Sequence, residues 1–345
     1  MNKEMWFRHH GDEGDICVST RVRFARNISK YPFPGRMSDE QARELISDAA
    51  KALAGSEIGV HFRLVDMEQC SSLERAALVE RHIISPDLAE GGIPRAVLIS
   101  EDESMSVMLN EEDHLRLQVL AAGLDVQKTL EQARKLDEVF DRELGYAFDD
   151  KLGYLTKCPT NIGTGMRVSV MLHLPSLTEA REIGGIISAA GGAGFTARGI
   201  YGEGSAAEGA LYQFSNRITL GYTEDEVCER LERVARQIIE RERTLRKLSV
   251  DRDSEGVEDK VFRAIGVLKY AKRIDTGEAL RLLGEVRVGV SVGILPIDCG
   301  KLNELLWAVR ASGLSLAAGK ELTPQERDRK RAELLHDIDK GSFSI

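Results

Sequence analysis

The sequence predicts an α+β catalytic domain, with a mainly antiparallel sheet flanked by helices, followed by an all-helical C-terminal domain. Three observations lead there. At 345 residues the chain exceeds one compact unit of usual size. Strand-like runs are mixed with helices, but without the regular βαβ alternation of a parallel sheet. Beyond a polar stretch, Asp251-Arg252-Asp253-Ser254-Glu255-Gly256, which reads as a linker, only helical patterns remain. The domains are therefore expected over 1–252 and 253–345.

Ser38 with Gln41 three residues on forms a capping box and opens a helix to about Leu53. Strands are expected over 61–66, 95–99, 104–109 and 115–121, the last three close enough for a meander. The segment 125–144 has helical apolar spacing through Val126, Leu130, Leu136, Val139 and Phe140. Alternation over 167–174 predicts a strand that Pro175 stops, then a helix over 177–190 and strands over 195–200 and 211–220. Thr223 and Glu226 cap a long helix toward Leu248. In the second domain helices are expected over 257–271, from Asp275, over 301–311, and from Thr323, where Pro324 and Glu326 complete the start signal.

Composition narrows the function. No apolar run is long enough to span a bilayer and the N-terminus lacks a signal core, so a cytoplasmic protein is expected. The five cysteines include no C-x-x-C pair, which disfavours a disulfide framework or a zinc site. A formal net charge of −9 disfavours a general nucleic-acid binder, while arginine-rich segments inside an acidic chain suggest a local anion pocket. No G-x-x-x-x-G-K-[ST] loop is present, so arginines rather than a Walker loop would have to hold a polyphosphate.

The most informative stretch is Cys158-Pro159-Thr160-Asn161-Ile162-Gly163-Thr164-Gly165-Met166-Arg167, a thiol, two glycines and an arginine between apolar runs. Beside it stand Ser19-Thr20-Arg21-Val22-Arg23, continued by Arg26 and Asn27, and Asn110-Glu111-Glu112-Asp113-His114-Leu115-Arg116. Taken alone the latter reads as a capped acidic helix start. A glycine-rich loop, Arg198-Gly199-Ile200-Tyr201-Gly202-Glu203-Gly204, follows. Together these resemble the signature elements of the phosphagen (guanidino) kinases, over roughly residues 15–248.

The resemblance implies ATP and Mg²⁺, with Arg21, Arg23, Arg116, Arg167 and Arg198 as phosphate clamps. It implies further nucleotide contacts from Ser19, Thr20, Val22, His82, Val168, Ser169, Val170, Met171, Gly199, Ile200, Tyr201 and Gly202. Met171 stands where small-molecule members carry a second histidine. Glu112 and Glu203 are implied as the carboxylates that grip and deprotonate a guanidinium, Glu111 as an assistant, and Cys158 as a tuning contact. No metal ligand among the protein side chains is assigned.

Only eighteen residues precede Ser19, whereas small-molecule members carry a helical domain there. The extra mass lies C-terminally, as in the bacterial protein arginine kinase branch. There Arg327-Asp328-Arg329-Lys330-Arg331-Ala332 resembles a phosphoarginine-sensing motif, with Arg327, Asp328 and Arg331 as its allosteric contacts. The resemblance implies protein substrates with exposed arginine, a heat-shock repressor among them, a zinc-binding activator, a Clp-type protease downstream, and a homodimer. A free-arginine kinase and a non-catalytic phosphoarginine-binding protein are the alternative readings.

Overall fold

Strand β1 (Cys17–Arg26) is buried along nearly its whole length, which places it inside a sheet rather than at an edge. The computed structural model describes residues 4–199 and 208–339. In it β1 joins an eight-stranded sheet whose order is β2 (Phe62–Asp66), β3 (Ala96–Ser100), β4 (Met105–Leu109), β5 (Leu115–Ala122), β1, β8 (Met166–His173), β10 (Leu211–Asn216) and β9 (Phe195–Gly199). Every neighbouring pair is antiparallel. A separate two-stranded ribbon pairs β6 (Phe148–Asp149) with β7 (Gly153–Tyr154). The antiparallel α+β expectation holds.

Side chains alternate across a strand, so the sheet has two chemically different faces. One buries Val22, Phe24, Leu117, Val119, Val168, Val170 and Phe214 under helices α1 (Asp39–Ala54), α4 (Val126–Leu144), α6 (Ile183–Gly192) and α7 (Glu224–Arg252). Helices α2 (Ser72–Glu80) and α3 (Pro86–Ala89) cover a smaller cluster that includes Leu78, Leu88, Val97 and Ile99. The short α5 (Pro175–Glu179) follows β8, and Glu242 of α7 accepts from its first backbone amides, Ser176 at 3.1 Å and Leu177 at 2.9 Å.

The C-terminal helices are α8 (Ser254–Tyr270), α9 (Thr276–Ser291), α10 (Cys299–Ala308), α11 (Ala311–Ala317) and α12 (Pro324–Leu335). They do not form a detached lobe. Leu280, Leu302 and Trp307 share one apolar cluster with Val18, Leu120, Met171 and Leu211 of the sheet. No described helix is long and apolar enough to cross a membrane.

Several element boundaries differ from expectation. The polar stretch 251–256 is a one-residue break: α7 runs to Arg252 and α8 starts at Ser254, with the Asp253 carboxylate capping Gly256 N at 2.9 Å. Its polarity is that of exposed helix ends. The strand expected to Leu220 stops at Asn216, whose side chain bonds Val168 N, Met166 O and Ile218 O and so bends the chain away. Helices α2 and α3 were not anticipated, although Ser71 and Glu74 form a capping box as complete as that of Ser38.

Candidate active site

Direct cross-strand partners face the same side of a sheet. Arg23 lies opposite both Gln118 and Arg167, Arg21 opposite Leu120 and Ser169, and Ala25 opposite Arg116. On the next strands Gln213 lies opposite both Met171 and Arg198. Register alone therefore puts five arginines from β1, β5, β8 and β9 on the face away from the helical layer. Burial, then the neighbouring guanidiniums of Arg167 and Arg116, pushes Arg21 down to about 10. Burial likewise lowers Arg23 and Arg167, with Arg21 and Arg198 respectively the foremost neighbouring charges. These groups stay cationic at neutral pH, so the shifts measure crowded positive charge. Few protein acceptors relieve it: Arg21 donates to Gln213 at 3.1 Å, and the buried Nε atoms of Arg23 and Arg167 have no partner among the described residues. A polyanion is the ligand such a face suits.

Residues 110–114 form the β4–β5 turn, not a helix start. Asn110 adopts φ 62°, its side-chain amide donating to Ala42 O at 3.1 Å and Pro94 O at 2.9 Å. The turn separates the two glutamates. Glu111 is committed: its side chain is 1% exposed, ion-paired with Arg116 at 2.7 Å and bonded by the Ser85 hydroxyl. Glu112 is 35% exposed and 3.9 Å from Arg116. Burial and then the Asp113 carboxylate raise the Glu112 carboxyl above its usual range, against Arg116 and Lys157. Glu112 is thus the carboxylate open to an incoming cation.

The cysteine loop is tied to both neighbours. Asp113 Oδ1 accepts from Asn27 at 2.6 Å and from Lys157 N at 2.7 Å, joining the glutamate turn to the loop. Thr219 Oγ1 donates to Thr160 O and Ile162 O, and Arg26 Nη1 donates to Thr164 O at 2.9 Å. Glycine is required at 163 and 165, where φ is 105° and 59° and a Cβ would lie 2.3 Å from Thr219 O and 2.7 Å from Ala25 O. Cys158 sits at the loop's start, half-buried, with Sγ 3.0 Å from Thr160 Oγ1.

The structure brings together Ser19, Arg21, Arg23, Arg116, Arg167, Ser169, Met171 and Arg198 on one face, with His82 at its border, while Cys158 opens the loop that Asp113 ties to the glutamate turn. It does not bring Thr20, Val22, Val168 and Val170 to that face. Their side chains alternate onto the buried side, and Thr20 Oγ1 donates to Gly123 O. A nucleotide contact from these four could come only from their backbone, since strand alternation turns their side chains away. Gly199 ends β9, while Ile200, Tyr201, Gly202 and Glu203 lie outside the described residues. In α12, Arg331 is 1% exposed and donates to Val309 O and Ile274 O at 2.7 Å each and to Asp328 at 2.8 Å. It pins α12 to α10, and Arg327 lies on the same helix, partly exposed.

Sequence reasoning included Arg26, Asn27 and His114 in the motifs but gave them no role, and it missed Asp137 and Tyr154. Arg26 faces the helical layer, 0% exposed, held by Asp137 of α4 at 2.8 Å and stacked 3.5 Å from the Tyr154 ring. His114 Nδ1 accepts from Ile28 N, and Asn27 Oδ1 accepts from His114 N. An arginine ending a strand of buried alternation was the available signal.

Comparison with known proteins agrees with this geometry. The family model of the ATP:guanido phosphotransferase C-terminal catalytic domain matches residues 44–245, and that of the protein-arginine kinase McsB C-terminal domain matches 254–339. The chain is 44% identical to a protein-arginine kinase of Brevibacillus brevis, over 96% of its own length and 94% of the relative's. It is 43% identical to one from Caldanaerobacter subterraneus, over 92% and 95%. Lombricine kinase shares the fold, with a TM-score of 0.61 at 24% identity over 70% of each chain. The duplicated taurocyamine kinase from Schistosoma mansoni, with bound transition state analog components, gives 0.59 at 26% identity, over 68% of this chain and 34% of that one. An arginine-lined sheet face, an open glutamate beside a cysteine loop and these likenesses converge: the chain belongs to the ATP:guanido phosphotransferase family, in its protein-arginine kinase branch.

Proposed function

We propose that this phosphotransferase moves the γ-phosphoryl of ATP onto the guanidinium of arginine side chains in proteins. The observation that carries the reading is Glu112: an uncommitted carboxylate, a third exposed, at the rim of a face crowded with arginines. Arg21, Arg23, Arg116, Arg167 and Arg198 hold and neutralise the phosphates, so positioning and charge do most of the catalysis. Glu112 grips the substrate guanidinium, aims one nitrogen at the γ-phosphorus and accepts its proton. The N–P bond forms as the bond to the ADP oxygen breaks. A carboxylate with a raised pKa takes up that proton more readily near neutral pH.

Glu203, by resemblance, is the second carboxylate, and Cys158 flanks the guanidinium as a tuning contact. Mg²⁺ would come with the nucleotide and supply charge neutralisation at its phosphates; among the described residues no group of three or more acidic, histidine or cysteine side chains would cage it. The same reading makes Arg327, Asp328 and Arg331 a phosphoarginine sensor on the helix that pins α10. By resemblance it includes a cytoplasmic homodimer, a zinc-binding activator, a heat-shock repressor as substrate and a Clp-type protease downstream, with residues 1–252 catalytic and 253–345 regulatory.

The test is incubation with ATP, Mg²⁺ and an unfolded protein, with free arginine in parallel. Acid-labile phosphate on protein arginines, lost in Glu112→Ala, is expected. Labelling of free arginine alone, or label that survives the substitution, would overturn the reading.

A further inference from the structure

Both tryptophans of the chain, Trp6 and Trp307, line one small cavity at the far end of the arginine face. Ser19, Arg21, His82 and Met171 line it from the catalytic domain. Along the strands, the Ser19–Met171 pair lies four residues beyond Arg23–Arg167, about 13 Å at ~3.3 Å per residue, with Arg21 between them lining the same cavity. Glu112 stands by Arg116 at the opposite end, so a nucleotide whose transferred phosphoryl faces Glu112 extends its base toward this one.

Trp307 comes from α10 of the helical domain, which the small-molecule kinases of the family are not expected to carry. It is 7% exposed, and its ring meets His82 edge-on, centroids 5.0 Å apart at 89°. Two polar ring atoms there, Trp307 Nε1 and His82 Nε2, are buried without a hydrogen-bond partner among the described residues. Buried polar groups are rarely left so. His82 also holds φ 58°, a backbone conformation uncommon for a non-glycine residue, with its carbonyl fixed by Gln118 at 2.7 Å. The cavity is about 10 Å³, room for roughly one water. A base cannot enter until this aromatic pair parts.

We propose that the helical domain completes the base end of the nucleotide site: Trp307 is its base-contact residue, and base entry lifts the indole off His82 and re-seats it against the base. This rests on the reading that ATP binds the arginine face. Aromatic–base contact gives affinity without touching the reacting phosphorus, so its loss falls on ATP binding rather than on phosphoryl transfer.

Two measurements test it on the full chain. In Trp6→Phe, Trp307 is the sole tryptophan; ADP should move its emission saturably, while tripolyphosphate, which fills the arginines, Arg21 of the cavity wall included, without a base, should move it far less. An equal response to both, or a response to neither at ADP concentrations that inhibit turnover, would overturn the proposal. In Trp307→Ala the ATP KM should rise roughly tenfold (1.4 kcal/mol) with kcat at saturating ATP within about threefold of the parent, and Trp307→Phe should recover part of it. An unchanged or lowered KM in both variants would equally overturn it. Labelling of protein arginine by the parent under the same conditions keeps this outcome separate from failure of the kinase reading itself.

Discussion

Replacing Glu112 by Gln keeps shape and hydrogen-bonding reach but removes the charge and the proton acceptor. The side chain is 35% exposed and, among the described residues, its one charged neighbour within ion-pair range is Arg116 at 3.9 Å. A pair so open contributes about 0–1 kcal/mol to folding, so the variant should melt within a few degrees of the parent. Catalysis should suffer far more: loss of a positioned general base costs about 10²–10⁴ in rate. The loss should appear in kcat as well as kcat/KM, with the ATP KM nearly unchanged, because Glu111 at 2.7 Å, rather than Glu112 at 3.9 Å, fixes the Arg116 clamp. Glu111→Gln supplies the contrast. It removes the 2.7 Å partner of Arg116 from a site where the glutamate side chain is 1% exposed, leaving that guanidinium mispositioned. Its signature should be a raised ATP KM and a measurable stability loss, with a smaller fall in kcat. Steady-state phosphorylation of an unfolded protein, with ATP and protein varied separately, reads both variants. If Glu111→Gln loses more kcat than Glu112→Gln, or if the Glu112 loss lies wholly in KM, the roles assigned to the two glutamates are wrong.

Asp137→Ala leaves buried Arg26 with only the looser Glu224 carboxylate at 3.8 Å and should cost about 3 kcal/mol in urea unfolding, while the apolar pair Arg26→Met with Asp137→Leu should recover much of it; a loss under about 1 kcal/mol in the single variant would refute the account. Lys157 holds the Glu112 carboxyl down, so Lys157→Gln should move the acid limb of kcat/KM to higher pH, and an unmoved limb would detach Glu112 from that titration. Burial lowers His82 to about 3 from 6.5 and also lowers His114 and His173. The unfolded chain therefore binds more protons below pH 6.5, so these groups' contribution is full above that pH and lost below it, by up to about 1.4 kcal/mol per pH unit each; equal urea midpoints at pH 7 and pH 5 would contradict this.

Much of the site was legible because it is written in period two. Arg21 and Arg23, two residues apart, must share a face once β1 is extended, and the antiparallel register then carries Arg167 to the same row. The same rule, applied fully, turns the side chains of Thr20, Val22, Val168 and Val170 to the buried face. The glycines of the cysteine loop were equally legible, since positive φ at 163 and 165 leaves no room for a side chain. Helix starts were legible from caps, which are local; the end of β10 was not, because Asn216 is turned by atoms of β8 fifty residues away in sequence.

By itself, the sequence determined the residue types of a guanidino kinase site, the strand alternation that aligns its arginines, and the change to helices after residue 252. Tertiary structure decided which members of that set are available. Glu111 and Glu112 are adjacent and chemically identical, yet Ser85 and Arg116 commit one and leave the other open. Arg26 differs from Arg23 only in strand parity, but one is locked to Asp137 and the other faces the site. Trp307 meets His82 only because α10 folds back across the sheet. Commitment of a charge or an indole depends on partners distant in sequence, and no local pattern encodes them.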